Sequence, residues 1–263
     1  MIAGKTWRES CWMAVTYTLL LEVLLVPAIV LWPTLRPEAA SLARMIPADF
    51  VKRLVDAITS PDSGAAYRAY MAIQMFFKGV NVVGIACAVL LGTGVVARER
   101  ENQTLEFLLG RPVSRSRVLW DKYWVLALVV VVPIFLTSWS AVPLSWIIDH
   151  SLPFAAVTIA AFHNALFVLT LFTFTVLCSV LFRSQVHVAF AVGTVIVIQV
   201  GIFFVQQIRV ASLFRFSDFD VYGPVLAGNV GFMQLFLASG VWLLGATVLL
   251  YLAADRAFRR MDL

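Results

Sequence analysis

The chain has 263 residues, of which 61% are hydrophobic and 13% charged, with a formal net charge of +5 and a mean hydropathy of +0.90. An ordinary soluble domain is about half apolar and a quarter charged; apolar content gathered in runs of roughly twenty residues exceeds what one water-soluble core buries, so the runs face lipid. About six such spans leave no length for a separate catalytic domain, and the basic excess reads as lysines and arginines kept on the cytoplasmic side rather than as a nucleic-acid signal.

In chain order, Lys5 and Arg8 precede an apolar run at residues 11–32, interrupted by Pro27 and closed by Pro33 and Pro37. The run is long enough to span and no small-x-small cleavage site follows it, so a retained first helix is expected. Inside the polar stretch 34–68, residues 47–58 (PADFVKRLVDAI) place Phe50, Leu54, Val55 and Ile58 on one helical face. Asp49, Lys52, Arg53 and Asp56 fall largely on the other, as in a short amphipathic helix on a membrane surface or capping the bundle. The second span is expected over 69–97, with Gly79, Gly84, Gly92 and Gly94 allowing close helix contact. The third covers 123–148, with Pro133 and Pro143 inside it; a tight turn at 149–153 leads into the fourth, 154–182. A short loop at 183–185 precedes the fifth, 186–205. A polar, aromatic loop, 206–229, carries Phe214, Phe216, Phe219 and Tyr222, which suit an interface. The last span is 231–254, followed by the tail DRAFRRMDL. All of this is one transmembrane domain over residues 1–263, all-α.

Orientation follows from the positive residues. With both termini inside, cytoplasmic segments hold twelve lysines and arginines and outer segments seven, most of the seven in the long first loop. Both termini are expected in the cytoplasm, at a cell inner (plasma) membrane. Cys11, Cys87 and Cys178 are single and scattered, neither a disulfide framework nor a metal cluster, and read as buried inert thiols.

The most informative stretch is residues 98–122, RERENQTLEFLLGRPVSRSRVLWDK. Asn102 or Thr104 can cap a short helix, with Glu106 in its first turn where the helix dipole favours negative charge. Leu105, Leu108 and Leu109 form an apolar patch, and Gly110 and Pro112 stop the helix. Such a helix either packs on its own bundle or headgroups or docks into a groove on a cytoplasmic partner.

This segment resembles the loop between the second and third helices of ABC-2-type permeases, the membrane subunits of many ABC exporters. The matching residues are Glu99, Thr104, Leu105, Glu106, Leu108, Leu109, Pro112, Val113, Ser114, Arg115 and Lys122. The tail, through Phe258, Arg259, Arg260, Asp262 and Leu263, resembles the family's ending. Gln103 stands where the family commonly has glycine. The resemblance implies that residues 104–110 are a coupling helix entering a cleft of a separate ATP-binding subunit, and that residues 5–13 are an interfacial elbow helix. It also implies that 206–229 holds short outer helices dipping into the membrane. No G-x-x-x-x-G-K-[ST] loop occurs in the chain. Two ATP-binding subunits carrying the ATP and magnesium, and a second permease copy or homologue, are therefore implied partners alongside the lipid bilayer; no cofactor is expected on this chain.

Ionisable groups at membrane depth are expensive and mark sites by default. Glu22 lies midway along the first span and Lys78 in the outer half of the second. A Glu22–Lys78 pair would relieve both, though their depths differ and snorkelling of Lys78 to the outer interface is the simpler reading. His163 and Asn164 in the fourth span, with His187 at the start of the fifth, lack a nearby carboxylate or thiol; interhelical hydrogen bonding is expected, and no metal. The paired aspartates, serine–histidine turn or H-E-x-x-H of an intramembrane enzyme are missing from the sequence. A non-transporting scaffold or regulatory subunit that docks a cytoplasmic partner is the alternative to a permease. Spans dominated by aliphatics and phenylalanine favour an apolar or amphipathic cargo.

Overall fold

The computed structural model describes residues 2–43, 49–104 and 113–261. Among them the regular structure is helical throughout, with no strand. Six helices are long and apolar enough to cross a membrane: Thr6–Val30, Ser63–Thr93, Arg115–Trp146, Phe154–Leu181, Gln185–Phe204 and Phe232–Arg260. These are the six expected spans, in order.

The ends differ from the hydropathy reading, each for a local reason. Residues 5–13 form no separate elbow: one helix runs unbroken over Ile2–Val30, because neither glycine nor proline occurs between Gly4 and Pro27 to break it. Pro33 does not end helical structure either. A second helix, Trp32–Ala43, accommodates it in the first turn, where a proline forfeits no intrahelical bond. The amphipathic segment is helical over Asp49–Ile58. The third span starts at Arg115, because Ser114 in extended conformation caps it and accepts the Arg117 N–H at 3.3 Å. The last helix continues to Arg260. Hydropathy marks only the lipid-buried part of a helix; capping residues set where it stops.

The second span winds as a π-helix over Ala72–Gly84 before returning to α geometry. It approaches its neighbours closely at two glycines. A Cβ on Gly84 would lie 2.8 Å from the Tyr17 hydroxyl, and one on Gly92 would lie 2.7 Å from Thr175 Cβ and Cγ2. The fourth span is the axis of the fold: 78% of its apolar window is buried against the rest, compared with 22% for the first, 17% for the fifth and 28% for the last.

Contacts at the two ends fix the course of the chain. At one end the Trp32 indole N–H donates to His150 Nε2 at 3.1 Å, while Arg36 donates to Ser63 Oγ at 2.9 Å and the Ser60 carbonyl at 3.0 Å. The other end gathers the segment after Thr93, the start of the third span and the end of the last helix, described below. Between the fifth and sixth spans, short 3₁₀ turns at Arg209–Ala211 and Leu213–Ser217 lead to a helix at Phe219–Leu226. Tyr222, Val225 and Leu226 of this helix are fully buried, and Tyr222 stacks on Phe76 at 5.0 Å. The segment expected to hold short outer helices therefore folds into the bundle.

Candidate functional site

The charged segment after the second span is positioned from its backbone upward. Gly94 ends the helix, and the short helix that follows opens with backbone N–H groups that need acceptors in a buried setting. Ser179 on the fourth span supplies one: its Oγ accepts the Val96 and Ala97 N–H groups at 3.0 and 2.9 Å and donates to the Thr93 carbonyl at 2.9 Å. The chain is thereby re-aimed into the short helix Ala97–Glu101.

That helix is tied on two sides. The Glu99 carboxylate accepts from Lys122 Nζ at 2.9 Å and from the Thr104 hydroxyl, and Lys122 also donates to the Val95 carbonyl at 3.1 Å. Lys122 is largely buried, so removing Glu99 would leave a charge with much of its hydration lost. Arg100 reaches the Val180 and Phe182 carbonyls at 3.3 and 3.4 Å, and Glu101 accepts from Ser184 Oγ and the Gln185 N–H, both at 3.3 Å. Partial burial and the nearby Arg183 charge lower the Arg100 pKa from its ordinary value.

Gln103 then adopts φ +56°, the left-handed region that glycine enters without penalty. This explains the position physically. Gln103→Gly is expected to raise stability by about 1 kcal/mol, read as a higher thermal midpoint; an unchanged or lower midpoint would argue against strain there.

Leu105, Glu106, Leu108, Leu109 and Pro112 lie outside the described residues. Beyond them, Arg115 donates to the Met261 carbonyl at 2.5 Å and the Arg259 carbonyl at 3.3 Å. The structure thus brings Glu99, Thr104 and Lys122 into one cluster, while Arg115 anchors elsewhere, on the end of the last helix. Thr104 turns its hydroxyl back to Glu99.

The intramembrane residues fall in three places. Glu22 accepts a hydrogen bond from Ser140 Oγ at 2.7 Å, joining the first and third spans. Lys78 is exposed and lines a groove between the second and fifth spans, so the two do not pair. His163 and Asn164 belong to a buried polar knot. His163 Nε2 lies 2.7 Å from Ser239 Oγ on the last span, and Nδ1 lies 3.5 Å from the Tyr222 hydroxyl. Asn164 Nδ2 donates to Asn81 Oδ1 at 3.3 Å, Ser217 Oγ at 3.1 Å and the Tyr222 hydroxyl at 2.8 Å. Ser217 Oγ donates in turn to Asn81 Oδ1 at 2.7 Å. Interhelical bonding is what these two residues do. The knot joins the second, fourth and last spans to the inserted helix, and both π segments, Ala72–Gly84 and Phe236–Gly240, carry one of its members. π turns inside helices recur at functional sites.

Among the three cysteines, Cys178 is buried and Cys87 half-buried, as expected, whereas Cys11 is exposed. It faces outward on the first span, the face that composition alone does not assign.

Ser179, Ser217 and Ser239 escape a reading of sequence, and Tyr222 reads there only as an interfacial aromatic. Serines and threonines inside apolar helices usually satisfy themselves on the carbonyl four residues back, as Thr170, Thr173 and Thr175 do here. A serine that caps another helix looks the same in sequence. Asn81 carried a readable signal, an amide in an apolar run.

Comparison with known proteins places these features in a lineage. The chain is 27% identical over 192 residues to the uncharacterized membrane protein YdbK of Bacillus subtilis (strain 168), covering 65% of this chain and 72% of that protein. A family model described as ABC-2 family transporter protein matches residues 48–263, which take in the charged segment, the polar knot and five of the six spans. The chain is a multi-pass membrane protein that belongs to the ABC-2 family of transporter proteins.

Proposed function

We propose that this chain is the permease subunit of an ATP-driven exporter in the plasma membrane, working as a pair of permeases with two separate ATP-binding subunits. Both termini then lie in the cytoplasm, and residues 104–110 couple the two kinds of subunit. The observation that carries the reading is the anchoring on either side of that segment. Glu99, Lys122 and Thr104 bind one flank to the third span, and Arg115 binds the other to the last helix. A push delivered to a segment held this way reaches the second, third, fourth and sixth spans rather than dissipating in a slack loop. Nucleotide and magnesium belong to the partner, whose closure on ATP moves the spans.

Leu105→Asp with Leu108→Asp puts two carboxylates on the apolar patch. It is expected to abolish co-purification with the ATP-binding subunit and to reduce transport at least tenfold, while leaving the thermal midpoint of the permease unchanged. Transport that survives the double substitution defeats the coupling role. A partner ATPase that binds normally but drives no transport favours a scaffold.

A further inference from the structure

At the end of the bundle away from the charged segment, the Trp32 indole is 2% exposed and packed among rings. The Tyr70 ring lies 4.6 Å from it, Tyr67 5.7 Å and His150 6.4 Å, and Tyr67 stands edge-on to His150 at 4.7 Å. The rings come from three separate places: the helix Trp32–Ala43, the start of the second span, and the turn between the third and fourth spans. One polar bond closes the group, from Trp32 Nε1–H to His150 Nε2 at 3.1 Å.

An indole only donates, so Nε2 is unprotonated and the imidazole is neutral with its proton on Nδ1. Ser63 Oγ lies 3.3 Å from the same nitrogen and accepts from Arg36 Nη1 at 2.9 Å, which leaves the serine proton to point at the ring. A second proton on the imidazole turns Nε2 into a donor facing a donor. Trp32 then holds a buried N–H without an acceptor, a costly arrangement, and the new positive charge stands one hydrogen bond away from the Arg36 guanidinium. The other described ionisable side chains on the flanking segments are Asp62, Tyr67, Arg68 and Tyr70 at the start of the second span, Asp149 beside His150, and the exposed Asp56 on the helix Asp49–Ile58. Carboxylates, tyrosines and arginines ordinarily keep one charge state between about pH 5 and 8, the range in which histidine changes its own. Asp149 sits at φ +55°, a conformation uncommon outside glycine, so the turn that carries the histidine has somewhere to relax once released.

We propose that Trp32 and His150 form a proton-sensitive latch, closed while the imidazole is neutral and opened by acid, when the turn at 149–153 parts from the helix Trp32–Ala43. The latch stands on this geometry alone; that its protons come from outside the cell rests on the orientation proposed above.

The test uses the purified full-length chain in neutral detergent, without an ATPase, at pH 8 and pH 5. The thermal midpoint is expected to be at least about 3 °C lower at pH 5. Backbone amides of residues 146–153 should exchange with deuterium at least roughly tenfold faster there, after correction for the pH dependence of intrinsic exchange. Two other histidines, His163 and His187, titrate in the same chain, so variants assign the effect. His150→Gln keeps an acceptor that does not titrate, and its exchange should be the same at both pH values. Trp32→Phe removes the donor but keeps a ring, and should exchange fast at both; it carries the test if His150→Gln does not fold. A wild-type chain with no pH response, or a response that survives in either variant, overturns the proposal. Loss of ATPase co-purification in the leucine variants leaves this response untouched, so the two readings fail separately.

Discussion

Ser179→Ala is expected to destabilise the protein by at least about 2 kcal/mol and to loosen the charged segment it holds. The serine receives two backbone N–H groups from the turn after the second span. Both are buried, and a buried donor left without an acceptor costs about 1–3 kcal/mol. The check is a pair of measurements on the purified protein: the thermal midpoint, and the rate of limited proteolysis within residues 98–114. Ser138→Ala is the matched control, since Ser138 Oγ is equally buried but has no hydrogen-bond partner among the described residues, and its loss should be close to neutral. A Ser179→Ala variant as stable and as protease-resistant as Ser138→Ala would show that the turn holds itself.

Gly92→Ala carries a comparable effect by a different route. The added methyl would stand 2.7 Å from both Cβ and Cγ2 of Thr175 on the fourth span, and overpacking a close-packed helix contact costs about 1–3 kcal/mol. The neighbouring backbone cannot yield easily, since the Phe172 carbonyl lies 3.4 Å away on the same side. Second-site changes give the diagnostic. Of the two clashing atoms Thr175→Ala removes only Cγ2, whereas Thr175→Gly removes both, and each variant equally loses the Oγ1 bond to the Leu171 carbonyl, so a double-mutant cycle should show larger rescue by glycine. The glycine itself costs about 1 kcal/mol in a helix, so the coupling energy, not the midpoint, is the quantity to compare. Equal rescue by both, or none, would place the strain elsewhere.

These two residues also show what sequence conveys and what it withholds. Glycines in an apolar run announced a close helix contact, and the second span makes it at Gly84 and Gly92. The partner, Thr175, could not be read, because contact between helices depends on rotation and depth, which hydropathy does not encode. Span number and order came through because twenty apolar residues have little alternative in a bilayer. Span ends did not, because a serine cap at Ser114 and an uninterrupted helix through residues 5–13 are decided by single polar residues and by the absence of breakers. The polar residues behaved likewise. His163 and Asn164 stood out as costly groups, and they do bond between helices. Glu22 and Lys78 stood out equally, yet they serve different surfaces, one a contact with Ser140 and the other an open groove. The motif residues divide in the same way: Glu99, Thr104 and Lys122 converge, while Arg115 anchors on the last helix.

The Arg115 anchor has a bearing on how the protein is made. The carbonyls that receive it belong to residues 144 and 146 positions further along the chain, so they emerge from the ribosome only after the fourth, fifth and sixth spans have been synthesised. Until then one flank of the charged segment has no hold on the bundle. A nascent chain stalled midway lacks this tie between the start of the third span and the end of the last helix.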